Sequence, residues 1–509
     1  MSGNAWSVGL VGMEGRMVEV EAAIGGGLPR TVLVGLADTA LYEARDRCKA
    51  AVASAGLSWP SQLVTINLTP ATLPKSGSHY DLAIVAALLA ASGEVPVDAS
   101  RATVLMGELG LDGRVRPVRG VLPGLLAAVD AGFDRAIVPA SQVGEASLVD
   151  GMTIWGIATL SELVDVLCGR PVMPVEPASE QPVQPVGRGS DLSDVVGQGA
   201  ARWALEVAAA GRHHLFLHGA PGVGKTMLAE RLPSVLPDLT RAESLEVSAL
   251  HSLAGANLSD GLITRPPYSD PHHNASMASL VGGGARVARP GAISLAHRGV
   301  LFMDEAPEFG PKLLEALRTP LESGWVVIGR SEVMTRYPAR FQLILAANPC
   351  PCGRSGTKGA ACTCAPMAIR RYAERLSGPI LDRIDIQVQM QPVRAAYLAG
   401  AVEVAESSEA VARRVGAARE RQAARFAGVP WSTNAEVPGA VLRRDLPLPV
   451  GCELLDEALV RGQLSSRGAD KVLRVAWSIS DLAGADRPTK DHLRVAMAMR
   501  RGHDVVGAA

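Results

Sequence analysis

The sequence has no excess of charge of either sign. Its 50 lysines and arginines face 51 aspartates and glutamates over 509 residues, a formal net charge of −1. That excludes bulk attraction to nucleic acid, so any contact with DNA must come from local patches. The opening MSGNAWSVGLVGMEG lacks a basic start followed by an apolar core, so no signal peptide is expected. Apolar runs such as Leu82 to Ala91 are too short for a bilayer, which needs about 20 residues, and no membrane partner is expected. Cysteine is scarce, seven in all with four in one cluster. That excludes a disulfide framework and points to a reducing cytoplasm. What is present is 48 % hydrophobic and 20 % charged, a composition with sizeable cores and the length of about three domains.

The chain is organised around His214 to Thr226, HLFLHGAPGVGKT. Leu215, Phe216 and Leu217 read as a buried strand. Gly219-Ala220-Pro221-Gly222-Val223-Gly224-Lys225-Thr226 follows, and then an apolar-periodic helix through Leu232. This is G-x-x-x-x-G-K-[ST] in its strand–loop–helix setting. Glycines let backbone N–H groups turn around a phosphate chain, and the helix end favours the same oxygens. Lys225 reaches the β and γ phosphates, and the Thr226 hydroxyl can ligate Mg²⁺.

Residues 1 to 168 alternate strands (Val18–Ala22, Arg30–Val34, Leu63–Leu68, Arg135–Pro139) with helices (Ala40–Ala55, Asp81–Ser92), an α+β or α/β pattern. Within them, Pro74-Lys75-Ser76-Gly77-Ser78-His79-Tyr80-Asp81, Gly107-Glu108-Leu109 and Gly113 to Val118 resemble the proteolytic domain of Lon-type proteases. That resemblance implies an S5-type α+β fold with a serine–lysine dyad. The serine position holds His79 and the lysine position Leu122, so the chemistry is expected to be absent and the domain to serve as scaffold or binding module. Residues 169 to 190 are Pro-rich without periodicity and read as a semi-extended linker.

An AAA+-type P-loop module is expected over 191–395. Val196, Gly197 and Gln198 precede a helix from about Ala200 to Ala210, and in modules of that type a similar Val-Gly-Gln lines the adenine pocket. Gly299 to Met303 forms a buried strand carrying two carboxylates at its end. Asp304 is placed to hold Mg²⁺ and Glu305 to act as general base. A second buried strand from Phe341 to Ala347 ends in Asn348, which could orient the lytic water. Arg383, in Leu381 to Ile386, is the candidate arginine finger for a neighbouring subunit; an ion pair with Asp382 or Asp385 is the alternative. Cys350, Cys352, Cys362 and Cys364 form two C-x-C pairs that can hold Zn²⁺, stay as free thiols, or act as a redox switch. His272 and His273 read as loop or DNA-contact residues. Residues 396–509 read as a helical lid, with a long helix over Val402–Phe426 and another from Ser465 to Leu482. Arg474 is the candidate inward nucleotide sensor, with Arg467 behind it.

Taken in order, with Ser269 to His273, Val281 to Gly284, Pro290 to Gly299, Asn348 to Gly353 and Ser377 to Pro379, these motifs resemble the ComM/YifB family of magnesium-chelatase-like AAA+ ATPases. The match covers nearly the whole chain. The resemblance implies an α/β multidomain protein: a Lon-protease-like N-terminal domain, an AAA+ core and a C-terminal helical lid. It also implies ATP and Mg²⁺ as cofactors and a hexameric ring. ComM members are DNA helicases that promote branch migration in recombination, notably in natural transformation. That implies single-stranded or branched DNA, and recombination proteins, as partners. A hairpin over Gly324–Tyr337 with its turn near Gly329-Arg330 would then enter the ring pore, Arg330 gripping phosphates, with His251–Arg298 as a second pore element. The rival reading is an ATP-dependent protein remodeller or chelatase-type assembly factor.

Overall fold

The computed structural model describes residues 2–35, 39–73, 75, 77–172, 191–284, 288–330, 334–356, 361–392 and 405–502. The expected linker over 169–190 falls outside them from residue 173 onward. No described helix is long and apolar enough to cross a membrane.

The N-terminal part is built on a seven-stranded sheet. β1 (Ser2–Val11) and β2 (Glu14–Gly25) form an antiparallel hairpin. β3 (Arg30–Val34) and β4 (Leu63–Thr69) lie on one side, and β5 (Thr103–Leu105) on the other. After a small hairpin of β6 (Glu108–Leu109) and β7 (Val115–Arg116) come β8 (Arg135–Pro139) and β9 (Thr153–Ile157). The order is β3-β4-β2-β1-β5-β8-β9. β1, at the start of the chain, is the centre of this sheet. The helix Asp81–Ser92 is apolar all round and buried along almost its whole length, as a core helix must be. Its buried Asp81 accepts from Arg47 at 3.0 and 3.1 Å and from the Leu109 N–H at 3.1 Å. Burial still pushes that carboxyl up to about 6 against the pull of Arg47.

The central part is a five-stranded, wholly parallel sheet. Its strands are β10 (Leu215–Gly219), β11 (Tyr268–Ser269), β14 (Val300–Met303), β17 (Gln342–Ala347) and β18 (Ile386–Met390), in the order β11-β14-β17-β10-β18. The P-loop strand is therefore interior, flanked by the strand that leads into Asn348 and the strand that ends in Met390. Two short hairpins leave this body: β12 (Gly282–Gly283) with β13 (Arg289–Pro290), and β15 (Trp325–Gly329) with β16 (Met334–Pro338).

The C-terminal region is helical: Ser408–Arg425, Gly439–Arg444, Glu453–Val460, Ser466–Leu482 and Lys490–Arg501. The long helix expected from Val402 is described from Ser408; residues 402–404 lie outside the description. One apolar core joins these helices to the Gly199–Gly211 helix, the P-loop helix and the sheet, with Trp477 fully buried in it. The molecule is thus a mixed α/β multidomain chain with a parallel central sheet and a helical C-terminal region.

The N-terminal part is seated on the Arg241–Ala254 helix. Buried Glu145 accepts from the Ser252 hydroxyl at 2.5 Å and from the Leu122 N–H at 3.0 Å. Gly144 lies so close to Ser259 that a Cβ there would come within 2.9 Å of its carbonyl. The two positions read as the lost dyad are both interior. Leu122 is fully buried, and the His79 Nε2 lies 2.8 Å from the Val8 carbonyl.

Candidate nucleotide-binding site

β10 ends at Gly219 and the helix Lys225–Val235 begins six residues later. Gly222 and Gly224 carry φ of 78° and 94°, a backbone that side chains resist and that lets the loop coil inward. Lys225 Nζ donates to Gly219 O (2.8 Å), Ala220 O (2.9 Å) and Asn348 Oδ1 (2.9 Å). The ammonium therefore lies in the mouth of the cradle, and phosphate oxygens would exchange for these acceptors. Burial lowers its pKa, while Asp304 and Glu305 oppose the shift. Gln198 donates to Val223 O (3.0 Å) and Gln391 O (2.8 Å), fastening the Val196-Gly197-Gln198 segment to the loop and to the end of β18.

β14 delivers Asp304 and Glu305 to the same edge. Thr226 Oγ1 donates to Asp304 Oδ2 at 2.6 Å, so one hydroxyl and one carboxylate stand side by side as a hard, oxygen-only donor pair of the kind Mg²⁺ takes. Glu305 adopts a left-handed backbone with φ of 50°, and its N–H donates to Asp304 Oδ1 at 2.8 Å. Strain of this kind in a non-glycine residue concentrates at working sites. The Glu305 carboxylate lies 3.5 Å from His273 Nδ1. From sequence His273 reads as a loop or DNA-contact residue; the signal available was a histidine pair just after β11, three strand positions from the P-loop strand.

Arg383 and Arg474 are elsewhere. They line a cleft of about 740 Å³ with Arg212, Glu322, Arg340 and Asp385. That cleft opens at the amino-terminal edge of the sheet, where His214 precedes β10, the opposite end from the P-loop. The ion pair weighed as the alternative to an arginine finger, Arg383 with Asp382 or Asp385, does not form: Arg383 pairs with Glu322 and donates to Pro379 O at 2.5 Å. Asp382 instead lies 3.6 Å from Arg500, and Asp385 binds Lys471 at 2.7 Å. Arg474 donates to Val437 O at 2.9 Å. It was expected to turn inward from the lid as a nucleotide sensor; in this fold it faces away from the P-loop of its own chain, because the Ser466–Leu482 helix crosses the amino edge of the sheet. Arg467 is exposed at the rim, 3.9 Å from Glu322.

The segment under Arg383 is held by hydrogen bonds from three sides. Lys471 Nζ also donates to Arg383 O at 2.8 Å, His214 N–H donates to Asp385 Oδ2 at 2.8 Å, and Arg500 caps Leu381 O at 3.2 Å. Burial pushes the Asp385 carboxyl up, but Lys471 and the two neighbouring histidines together pull it well below the usual range. Burial takes His213 down to about 3 and His214 to about 4, so both imidazoles are neutral.

The hairpins converge. A Cβ on Gly282 would meet Ile328 Cδ1 at 2.8 Å, and one on Gly283 would meet Arg330 at 3.4 Å. The pairing Gly329↔Met334 sets the hairpin tip at 330–333, of which 331–333 lie outside the described residues. Val327 and Met334 are exposed, and Arg336 stacks 4.9 Å from the Trp325 ring.

Cys350, Cys352, Cys362 and Cys364 bring their sulfurs within 4.8 Å of one another, an arrangement compatible with structural zinc.

Three family models cover most of the chain: subunit ChlI of Mg-chelatase over residues 20–142, magnesium chelatase subunit ChlI over 191–398, and its C-terminal region over 405–500. An uncharacterised protein of Mycobacterium tuberculosis (strain H37Rv) is 52 % identical over 98 % of both chains. The uncharacterised protein YifB of Escherichia coli K12 is 39 % identical over 96 % of this chain and 95 % of its own. The competence protein ComM of Haemophilus influenzae is 38 % identical over 96 % of both.

Proposed function

Because the chain belongs to the ComM/YifB family of magnesium-chelatase-like AAA+ ATPases, we propose that it is an ATP-hydrolysing ring motor acting on DNA, in helicase or branch-migration steps of recombination or DNA uptake. The observation that carries the reading is the split of the catalytic set across the sheet. Lys225, Thr226, Asp304, Glu305 and Asn348 gather at one edge, and Arg383 and Arg474 line a cleft at the other. Each nucleotide is then completed by the next copy in a closed ring, a hexamer in our reading, through a heterologous interface.

The loop N–H groups and Lys225 bind the phosphate chain. Thr226 and Asp304 would hold Mg²⁺, which supplies charge neutralisation on the β and γ phosphates. Glu305 accepts the proton of the attacking water, and Asn348 orients that water. The neighbour's Arg383 offsets the charge that builds on the transferred phosphoryl group, with the neighbour's Arg474 beside it. The paired hairpins, with Arg330 at the tip, grip phosphates without reading bases. The N-terminal domain, 1–168, serves as a Lon-like scaffold whose dyad is replaced by His79 and Leu122. The 191–395 core and the 396–509 lid form the motor behind a 169–190 linker, and the cytoplasm is its place of action. The name of the Haemophilus relative, a competence protein, supports DNA as the substrate.

The test is ATP turnover with and without single-stranded or four-way-branched DNA, together with branch migration, for wild type and Lys225→Ala. Stimulation by DNA and loss of both activities in the variant is the expected result. Intact ATP turnover indifferent to every DNA would replace the motor with a protein remodeller.

A further inference from the structure

Directly after Asn348 the chain turns through Cys350-Pro351-Cys352-Gly353 and returns through Cys362-Thr363-Cys364. The sulfurs of Cys350 and Cys352 lie 3.4 Å apart, those of Cys350 and Cys362 3.8 Å, and those of Cys352 and Cys362 3.6 Å. Thiolates at the usual Zn–S length of about 2.3 Å, set tetrahedrally, stand about 3.8 Å from one another. The spacing is that of ligands around one ion. The Ser355 N–H donates to the Cys350 sulfur at 3.3 Å, the outer hydrogen bond that steadies a metal-bound thiolate.

This turn also rests on the phosphate cradle at two points. Asn348 Oδ1 accepts from Lys225 Nζ at 2.9 Å. Gly353, with φ of 75°, lies flat on Pro221: a Cβ there would come within 2.3 Å of the Pro221 Cγ and 2.5 Å of its Cδ. Pro221 is the middle of the P-loop. Among its described residues this loop adds none to an apolar core, so a cross-link would be what holds that shape.

We propose that Cys350, Cys352, Cys362 and Cys364 bind one Zn²⁺ as a four-thiolate site, and that the ion holds the Asn348–Gly353 turn against Pro221 and Lys225, so that ATP affinity depends on its presence. The zinc fixes geometry and takes no part in phosphoryl transfer. The coupling to ATP rests on the nucleotide reading above; the metal site itself does not.

Metal analysis of the purified full-length protein is expected to give one zinc per chain, and Co²⁺ exchange to give the thiolate charge-transfer and tetrahedral d–d bands. No zinc, with all four cysteines reacting as free thiols, overturns the site. Zinc removal by a thiol-competing chelator, followed by titration with ATP in excess Mg²⁺, is expected to weaken ATP binding roughly 5- to 100-fold, with recovery on adding one equivalent of Zn²⁺. Unchanged ATP affinity after zinc loss overturns the coupling. Since cysteine variants can fail to fold, Gly353→Ala provides the second arm. It keeps all four ligands and is expected to keep one zinc while losing ATP affinity; zinc retained with wild-type affinity contradicts the brace. Failure of DNA to stimulate turnover would leave each of these readings unaffected.

Discussion

Glu305 stands in a left-handed backbone at the end of a buried strand, with Asp304 one residue before it turned toward Thr226. Adjacent carboxylates on such a turn point to different partners, which is why one can hold a metal while the other meets water. Glu305→Gln is expected to keep ATP binding and lose roughly 10²- to 10⁴-fold in turnover, read by single-turnover hydrolysis. Equal loss of binding and turnover would assign the residue to the cradle instead. At the far edge, His213 gives a pH signature. It is fully buried and neutral down to about pH 3, whereas in the unfolded chain it takes a proton below about pH 6.5. Its contribution is therefore complete above pH 6.5 and is lost as pH falls toward 3, by about 1.4 kcal/mol per pH unit. Urea unfolding between about pH 6 and 4 is expected to show a slope of at least that size, reduced by about that amount in His213→Asn, with the neighbouring His214 supplying a slope of the same sign that remains.

At the scale of elements, the segment carrying Arg383 is held by the Lys471–Asp385 pair beneath it, both side chains nearly out of solvent. Lys471→Ala leaves a buried carboxylate unpaired and is expected to cost about 3–5 kcal/mol in denaturant unfolding. A change under about 1 kcal/mol would mean that the His214 N–H alone satisfies Asp385. The hairpin makes a different claim. Arg330→Ala is expected to weaken DNA binding similarly for all sequences and to reduce the slope of log affinity against log salt by about 1. A sequence-dependent loss with the slope intact would place Arg330 on bases. These elements were legible to different degrees. The P-loop, Asp304-Glu305 and Asn348 could be read because phosphate chemistry fixes residue type, spacing and the strand end that bears them. The strands Arg30–Val34, Arg135–Pro139 and Val300–Met303 fall where apolar pattern and turn residues put them. The contacts of Arg383 with Glu322, Glu305 with His273 and Gly353 with Pro221 were not legible, because packing joins segments far apart in sequence and leaves no periodic trace. The heading of Arg474 was hidden for the same reason: a helix pattern gives its apolar face but not the edge of the sheet it crosses.

For the whole molecule, the buried Glu145–Ser252 hydrogen bond and the close approach of Gly144 to Ser259 make the N-terminal part a neighbour of the Arg241–Ala254 helix and the loop after it. The turn at Gly12 likewise lies on the backbone of Arg336 in the second hairpin. A chain so arranged presents its nucleotide cradle at one end of the central sheet and the guanidinium groups of Arg383 and Arg474 at the other, which suits one member of a closed series. The most direct measurement is ATP turnover of mixed assemblies of Arg383→Ala and Lys225→Ala proteins. Each alone is expected to be nearly inactive, the first because no copy lends an arginine and the second because no copy binds phosphate. Co-assembled in equal amounts, the intact cradles of one meet the intact arginines of the other, and turnover is expected to recover to roughly a quarter of wild type, the share of complete interfaces in a random ring. A mixture as inactive as its components, or full activity of Arg383→Ala alone, would contradict the shared site.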